Sequence, residues 1–278
     1  MDCKRVVLAC ACAASLVACA GGAGDVKPTS PAAVAPVPEY MPGVPAGYLG
    51  KALPDSLVLV PPPPAAGSPA FAQDEAMHAA AQAVRNGPRG ALATADANLD
   101  FPQAAAQFEC ALGRSISKET TPRLYLLMQR AMVDAGIATS RAKEHYQRAR
   151  PFVHYKESMC TPDEDADLRA DGSYPSGHTA IGWAWGLVLA EIAPDRGDAL
   201  VRRGRAFGES RMVCNVHWQS DILAGRAVAA AAVARLHANP TFTADLAAAR
   251  AELANAAVPD AARCASEASL LEPLPGSL

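Results

Sequence analysis

The sequence predicts an all-α protein, a compact helical bundle preceded by an extended Pro-rich segment. Two observations point there. First, half of the 278 residues are hydrophobic but only 5% are aromatic, and much of the hydrophobic share is alanine, the residue that favours helix most. Second, no hairpin dipeptide and no alternating β-branched run of any length interrupts the helical patterning. The formal charge of -3 with 19% charged residues offers no basic surface for nucleic acid.

Residues 1–19, "MDCKRVVLACACAASLVAC", read as a signal peptide. Lys4 and Arg5 precede an apolar run from Val6 to Ala18 that is too short to span a bilayer. The end, Leu16 to Cys19, resembles the lipobox of bacterial lipoproteins, which makes Cys19 a lipidation candidate. Ordinary cleavage after Ala18–Ala20 is the alternative, and both export the chain. Cysteine use agrees. Cys3, Cys10, Cys12 and Cys19 belong to the leader, and Cys110, Cys160, Cys214 and Cys264 remain. An even set in an oxidising compartment predicts two disulfides. Spacing permits three pairings, and chain order suggests Cys110–Cys160 with Cys214–Cys264. No CxxC pair suggests structural zinc.

Residues 20–69 are rich in Pro and Ala, with "PPPP" at Pro61 to Pro64. Such a run favours an extended backbone and acts as a tether that drapes along the domain. The helical domain is expected over 70–268 and a flexible tail over 269–278. Its helices are placed at Phe71–Arg85, Arg89–Asn98, Pro102–Leu112, Pro122–Arg150, Thr179–Ile192, Arg196–Val213, Val216–Ala238 and Thr241–Ala256. Thr121 before Pro122 gives a capping hydroxyl and a first-turn proline, and Pro151 ends that helix. Gly182 and Gly186, one turn apart, invite close approach of another helix. No uncharged apolar run of ~18 residues follows the leader, so no spanning helix is expected.

Three clusters carry chemistry. In "KEHYQRARP", Lys143 and Arg150 are two helical turns apart and share a face, which by itself is also what a solvated basic face looks like. In "GSYPSGHTA" (Gly172 to Ala180), a glycine loop opens an apolar helix, so backbone N–H groups and the helix dipole face an anion. Ser176 adds a hydroxyl donor, Gly177 a backbone donor and His178 a proton; a plain helix cap is the bland alternative. Tyr174 stands where a serine-hydrolase elbow needs glycine. In "SRMVCNVHWQSD", Arg211 offers a planar fork. His217 and Asp221, four apart, become neighbours if helical, and the carboxylate then fixes the imidazole tautomer.

In the order K-x6-RP, PSGH, SR-x5-H-x3-D, these clusters resemble the tripartite motif of the type-2 phosphatidic acid phosphatase and vanadium haloperoxidase superfamily. Lys143, Arg150, Pro151, Pro175 to His178, Ser210, Arg211, His217 and Asp221 fill its positions. The fuller "GSYPSGHT" resembles the class A non-specific acid phosphatases, as does the stretch from Tyr48 through "PPPP" to Ala76. The resemblance covers about Tyr48 to Leu236. It implies an exported, broad-specificity acid phosphatase with His217 as nucleophile, Asp221 orienting it, and His178 as general acid and then base. Lys143, Arg150, Ser176, Gly177 and Arg211 would bind the phosphoryl oxygens, with no cofactor required. Small phosphomonoesters are the implied partners, in the periplasm or outside the cell, on a lipid anchor if Cys19 is modified; a homo-oligomer is left open. The alternatives are a vanadate-dependent haloperoxidase-like enzyme and an exported phosphate-binding module without turnover. His78, His145, His154 and His237 lack ligand spacing, and Trp183, Trp185 and Trp218 read as core or pocket wall.

Overall fold

A computed structural model of the chain describes residues 36–276. The expected leader, its Cys19 and the first part of the Pro/Ala-rich segment lie outside the described residues. The described part of that segment begins with a short antiparallel pair, β1 (Glu39–Met41) and β2 (Val44–Pro45). The turn between them is Pro42–Gly43, with Gly43 at φ 78°, a conformation that glycine adopts without penalty. A one-turn helix follows, α1 (Ser56–Leu59). The segment is tied down at Tyr48 and Leu49, whose backbone N–H groups donate to the buried Asp134 carboxylate at 2.7 and 3.1 Å.

The remaining elements are helical: α2 (Pro69–Ala83), α3 (Pro88–Ala97), α4 (Gln103–Ala106), α5 (Glu109–Leu112), α6 (Pro122–Ile137), α7 (Ser140–Tyr146), α8 (Pro151–Tyr155), α9 (Asp165–Ala170), α10 (Gly177–Ile192), α11 (Gly197–Val213), α12 (Gln219–Leu236), α13 (Pro240–Glu252) and α14 (Ala261–Ala268). The all-α expectation holds. Among the described residues, no helix is long and apolar enough to cross a membrane.

Several boundaries differ, each for a local reason. The helix expected from Pro122 to Arg150 is broken twice. Thr139 turns its hydroxyl back to the Gly136 carbonyl at 2.7 Å and separates α6 from α7, and Gln147 adopts a left-handed conformation that ends α7. Arg150 therefore lies beyond the helix that carries Lys143, and Pro151 starts α8 rather than ending anything. Residues 216–218 are loop, so His217 and Asp221 do not both lie on one helix. α6 begins where Thr121–Pro122 places it, but its N–H groups at Arg123 and Leu124 donate to the Glu252 carboxylate of α13. Thr121 instead accepts from Ser117 N–H.

α10 is the hub, packing on α6, α11 and α12. Gly182 and Gly186 serve as the spacing suggested. A Cβ on Gly186 would stand 3.0 Å from the Leu200 carbonyl of α11, and one on Gly204 would stand 2.8 Å from the Gly182 carbonyl. The two helices touch backbone to backbone, which brings the end of α11, with Arg211, beside the start of α10. Trp185, Phe108 and Phe207 fill the core beneath. The last described stretch is not loose as expected: Leu271 and Leu274 are buried.

The four cysteines of the domain form two disulfides, but not in chain order. Cys110 pairs with Cys264 and Cys160 with Cys214. α14 returns to pack on α5, carrying Cys264 to Cys110. Cys160 lies against the end of α11, where its N–H donates to the Cys214 carbonyl at 3.3 Å. Non-reducing peptide mapping should recover the 110–264 and 160–214 cross-links. Each should contribute ~2–4 kcal/mol, so reduction should lower Tm by several degrees. Cross-links in chain order would contradict the arrangement of α5 and α14.

Candidate active site

The site is built on the N-terminus of α10. Ser176 caps the helix, accepting the Thr179 N–H at 3.2 Å and the Thr179 hydroxyl at 2.8 Å. This leaves the first N–H groups of the helix directed outward. The Ser176 N–H donates to the Asp221 carbonyl at 3.0 Å. α12 comes this close because Gly225 has no side chain; a Cβ there would stand 2.6 Å from the Ser176 carbonyl.

The segment after α11 presents His217. The Arg211 carbonyl accepts from the N–H groups of both Val216 and His217, at 3.1 and 3.3 Å. Asn215 takes a left-handed φ of 66° and is held by the Glu157 carboxylate and the Ser158 carbonyl. At the start of α12, Asp221 Oδ2 accepts the Trp218 N–H at 2.8 Å and faces His217 Nδ1 at 3.3 Å. On the other edge of the ring, Arg150 Nη1 lies 3.1 Å from Nε2. A carboxylate on one side and a guanidinium donor on the other select one tautomer, with hydrogen on Nδ1 and the lone pair on Nε2. Burial, then Arg150, Lys143 and Arg211, holds the His217 pKa well below its ordinary value, which favours the neutral ring.

Three cations converge on this imidazole. Arg150 is anchored by donating to the Leu168, Asp171 and Val216 carbonyls. Lys143 donates to the Gly172 carbonyl at 2.6 Å, and burial followed by Arg150 lowers its pKa to about 8. Both meet the half-exposed Asp171 carboxylate, at 3.0 and 3.1 Å. Arg211 differs: it is fully buried, yet none of its three guanidinium nitrogens has a hydrogen-bond partner. Its burial lowers its pKa to about 10, so it remains a cation. A buried fork without partners is costly unless an anion fills it.

These groups line one cavity of about 330 Å³ that contains Lys143, Arg150, Gly177, His178, Arg211 and His217. Asp221 and Ser176 stand behind its wall. Ser210 lies elsewhere: it donates to Asp96 at 2.6 Å and accepts from Arg89 at 2.9 Å, fastening α3 to α11. Among the described residues, no group of three or more His, Cys, Asp or Glu is placed to hold a metal ion.

Comparison with known proteins agrees with this geometry. The PAP2 superfamily pattern matches residues 124–242, the span from α6 into α13 that holds every cavity residue. The chain is 46% identical to the non-specific acid phosphatase of Providencia stuartii over 201 residues, 72% of this chain and 81% of the relative. It is 41% identical to the non-specific acid phosphatase of Salmonella typhi over 200 residues, covering 72% and 80%. The acid phosphatase of Zymomonas mobilis is 38% identical over 219 residues, covering 77% and 83%. The chain belongs to the bacterial non-specific acid phosphatases of the PAP2 superfamily.

In this phosphatase, sequence reasoning missed residues that spacing does not reveal. The His178 Nε2 lies 3.0 Å from the Ala97 carbonyl at the end of α3. Nε2 therefore carries hydrogen, and Nδ1 is the ring's free position. Burial and then Arg211 hold the His178 pKa well below its ordinary value. Asp171 was not singled out, because a lone carboxylate four residues before the proline carries no pattern. Arg148, Asp74 and Ser220 form the layer behind Asp221.

The unpartnered fork makes a stability prediction. Arg211→Met removes a buried charge without leaving any acceptor unmet, so the phosphate-free variant should melt no lower than the wild type. Phosphate, which should raise the wild-type Tm by mass action, should lose most of that effect on the variant. A variant that melts far lower but still gains stability from phosphate would place Arg211 in the scaffold instead.

Proposed function

We propose that this phosphatase hydrolyses small phosphomonoesters of varied alcohol portion through a phosphohistidine formed at His217. The observation that carries the reading is the buried Arg211 fork, unpartnered, in one cavity with a neutral His217 whose lone pair is on Nε2. An oxyanion satisfies the first, and its phosphorus is then presented to the second.

The chemistry balances with the residues at hand. As Nε2 forms its bond to phosphorus, the ester P–O bond breaks and its electron pair leaves on the alcohol oxygen. His178, protonated on Nδ1 as the negative phosphoryl group binds beside it, gives that proton to the oxygen, since Nε2 is committed to Ala97. It then takes a proton from water as the water oxygen attacks phosphorus. The N–P bond breaks, inorganic phosphate leaves, and both histidines return to their starting states. Phosphoryl transfer asks mainly for in-line placement and for charge spread over three equatorial oxygens. Lys143, Arg150, Arg211 and the Gly177 end of α10 supply that charge in place of a metal. Ser176 accepts two hydrogen bonds from Thr179 behind the wall, and so holds the first turn of α10 with its N–H groups toward the phosphoryl oxygens. The rest of the cavity wall includes Gly136, Thr139, Ser140 and Ile181, small or uncharged groups that accept many leaving groups.

Export completes the reading. Two disulfides suit an oxidising compartment, and the leader over residues 1–19, with Cys19 as acceptor, would deliver the enzyme there on a lipid anchor or free.

Turnover of p-nitrophenyl phosphate should persist in excess EDTA. His217→Ala should abolish a covalent intermediate with every substrate. His178→Ala should still be phosphorylated by esters with good leaving groups and should accumulate acid-labile phosphoenzyme, since general acid–base assistance is worth ~10²–10⁴-fold. A label mapping to His178, or activity that requires added Mg²⁺ or Zn²⁺, would reverse the assignment. Phosphate retention without any turnover would instead support a binding module, and halide oxidation after vanadate loading a haloperoxidase.

The pH dependence follows from the same charges. Without phosphate, burial and then the neighbouring cations hold both histidines low. A bound phosphoryl group offsets that repulsion and raises both, so the bell for kcat should lie at higher pH than the bell for kcat/KM. Coincident or reversed profiles would show that the phosphate does not sit among these groups.

A further inference from the structure

Arg148 is two residues before Arg150 but turns away from the cavity, into the layer beneath His217. Its side chain is 9% exposed and lies between two carboxylates that are more buried still, Asp74 at 2% and Asp221 at 0%. Nη1 donates to Asp221 Oδ1 at 2.6 Å and to Ser220 Oγ at 2.7 Å, and Nη2 donates to Asp74 Oδ2 at 2.7 Å. Asp74, on α2, also accepts the Ser220 N–H at 2.8 Å and the Ser220 hydroxyl at 2.6 Å. The guanidinium carbon lies 5.3 Å from the centre of the Trp218 ring. Arg148 thus cross-links α2, the loop after α7 and the first turn of α12.

The division of work within Asp221 gives this network a role beyond packing. Oδ2 is occupied by the Trp218 N–H and His217 Nδ1, and Oδ1 by Arg148. Rotation of the carboxylate would break all three. We propose that Arg148, seated by Asp74 and Ser220, is a positioning residue that keeps Asp221 ionised and turned toward His217 Nδ1 in acid, where a buried carboxylate would otherwise take up a proton. The proposal rests on the reading of His217 as nucleophile. A protonated Asp221 could donate to Nδ1, which would move the ring hydrogen to Nε2 and extinguish the attacking lone pair.

The charged and titratable groups facing Asp221 support the assignment. His217 is its neutral donor. Tyr174, from the loop before α10, is kept a neutral phenol by burial and donates to the Pro61 carbonyl at 2.7 Å. Arg150 and Lys143 lie beyond His217 and are engaged by Asp171. Asp74, on α2, is a second anion that needs the same cation. Burial pushes the Asp221 carboxyl up, and Arg148 is the first of the influences that bring it down. Removing Arg148 leaves two buried carboxylates around one serine.

The test is the pH profile of Arg148→Gln on the full mature chain with p-nitrophenyl phosphate. The acid limb of kcat/KM should move up by about one pH unit or more, so the loss at about pH 5 is at least tenfold greater than at about pH 7.5. The inhibition constant for inorganic phosphate at the higher pH should stay within about threefold, since the cavity cations are untouched. Arg148→Lys, which restores a cation without the fork, should bring the acid limb back. A uniform loss at every pH, with the limb in place, would make Arg148 a structural tie and overturn the proposal. Should Arg148→Gln not fold, ¹⁵N-histidine spectra of the wild type decide: His217 should keep hydrogen on Nδ1 down to about pH 5, and a tautomer change above that would defeat the idea. Failure to trap phosphate on wild-type His217 would overturn the reading of the site itself, whatever the profile of the variant.

Discussion

The constraint on which the rest depends is the crowding of like charge around a buried imidazole. Lys143, Arg150 and Arg211 share one small cavity with His217 and His178, where the half-exposed Asp171 carboxylate offsets Lys143 and Arg150 but leaves Arg211 unpaired. In water these side chains would separate. Here they cannot, because each is fixed by structure that has nothing to do with phosphate. Arg150 is held by carbonyls of the loop around Asp171 and by that of Val216. Arg211 is held by its place on the last turn of α11. The glycine contact between α10 and α11 then fixes that turn against the start of α10. An uncompensated guanidinium in such a place costs stability, and the aromatic core under α10 and two disulfides offset it.

That arrangement also explains why Asp171 is where it is. Its carboxylate reaches both Lys143 and Arg150, and half its side chain is in solvent. In the proposed reaction an incoming phosphoryl group would take over contacts now made to a water-accessible partner, a milder exchange than opening a sealed ion pair. Arg211 has no such surrogate, so in the proposed reaction its interaction with the anion would be gained outright.

Behind the cavity, polarity is handled differently. Asp221, Arg148, Asp74 and Ser220 are buried and richly bonded to one another. Ser210, Asp96, Arg89 and Arg203 form a comparable knot between α3 and α11, and Ala97, next to Asp96, receives His178. Of the cations in the cavity, Arg211 is left without hydrogen-bond partners, whereas Arg148, Asp74 and Ser220 behind it are bonded to one another. Networks of the second kind rigidify, which is what a site relying on placement requires.

Much of this was legible in the sequence. The alanine-rich helical pattern, the glycine pair on α10, and the residues Lys143, Arg150, His178, Arg211 and His217 follow from composition and motif, because local chemistry dictates them. Other features were not legible, for physical reasons. Thr139 and Gln147 end α6 and α7 by a back-bond and a left-handed residue that no propensity rule enforces, so Lys143 and Arg150 meet across a loop and not along one helical face. The disulfide pairing depended on α14 returning to α5, a long-range packing event blind to chain order. Asp74 and Asp221 are brought together by Arg148 across 147 positions of numbering, and Ala97 reaches His178 across 81. The sequence by itself determined which side chains could do the chemistry. Only the tertiary structure decided which of them would be starved of partners and which satisfied, because burial and hydrogen bonding depend on what folds against each group and not on its neighbours in the chain.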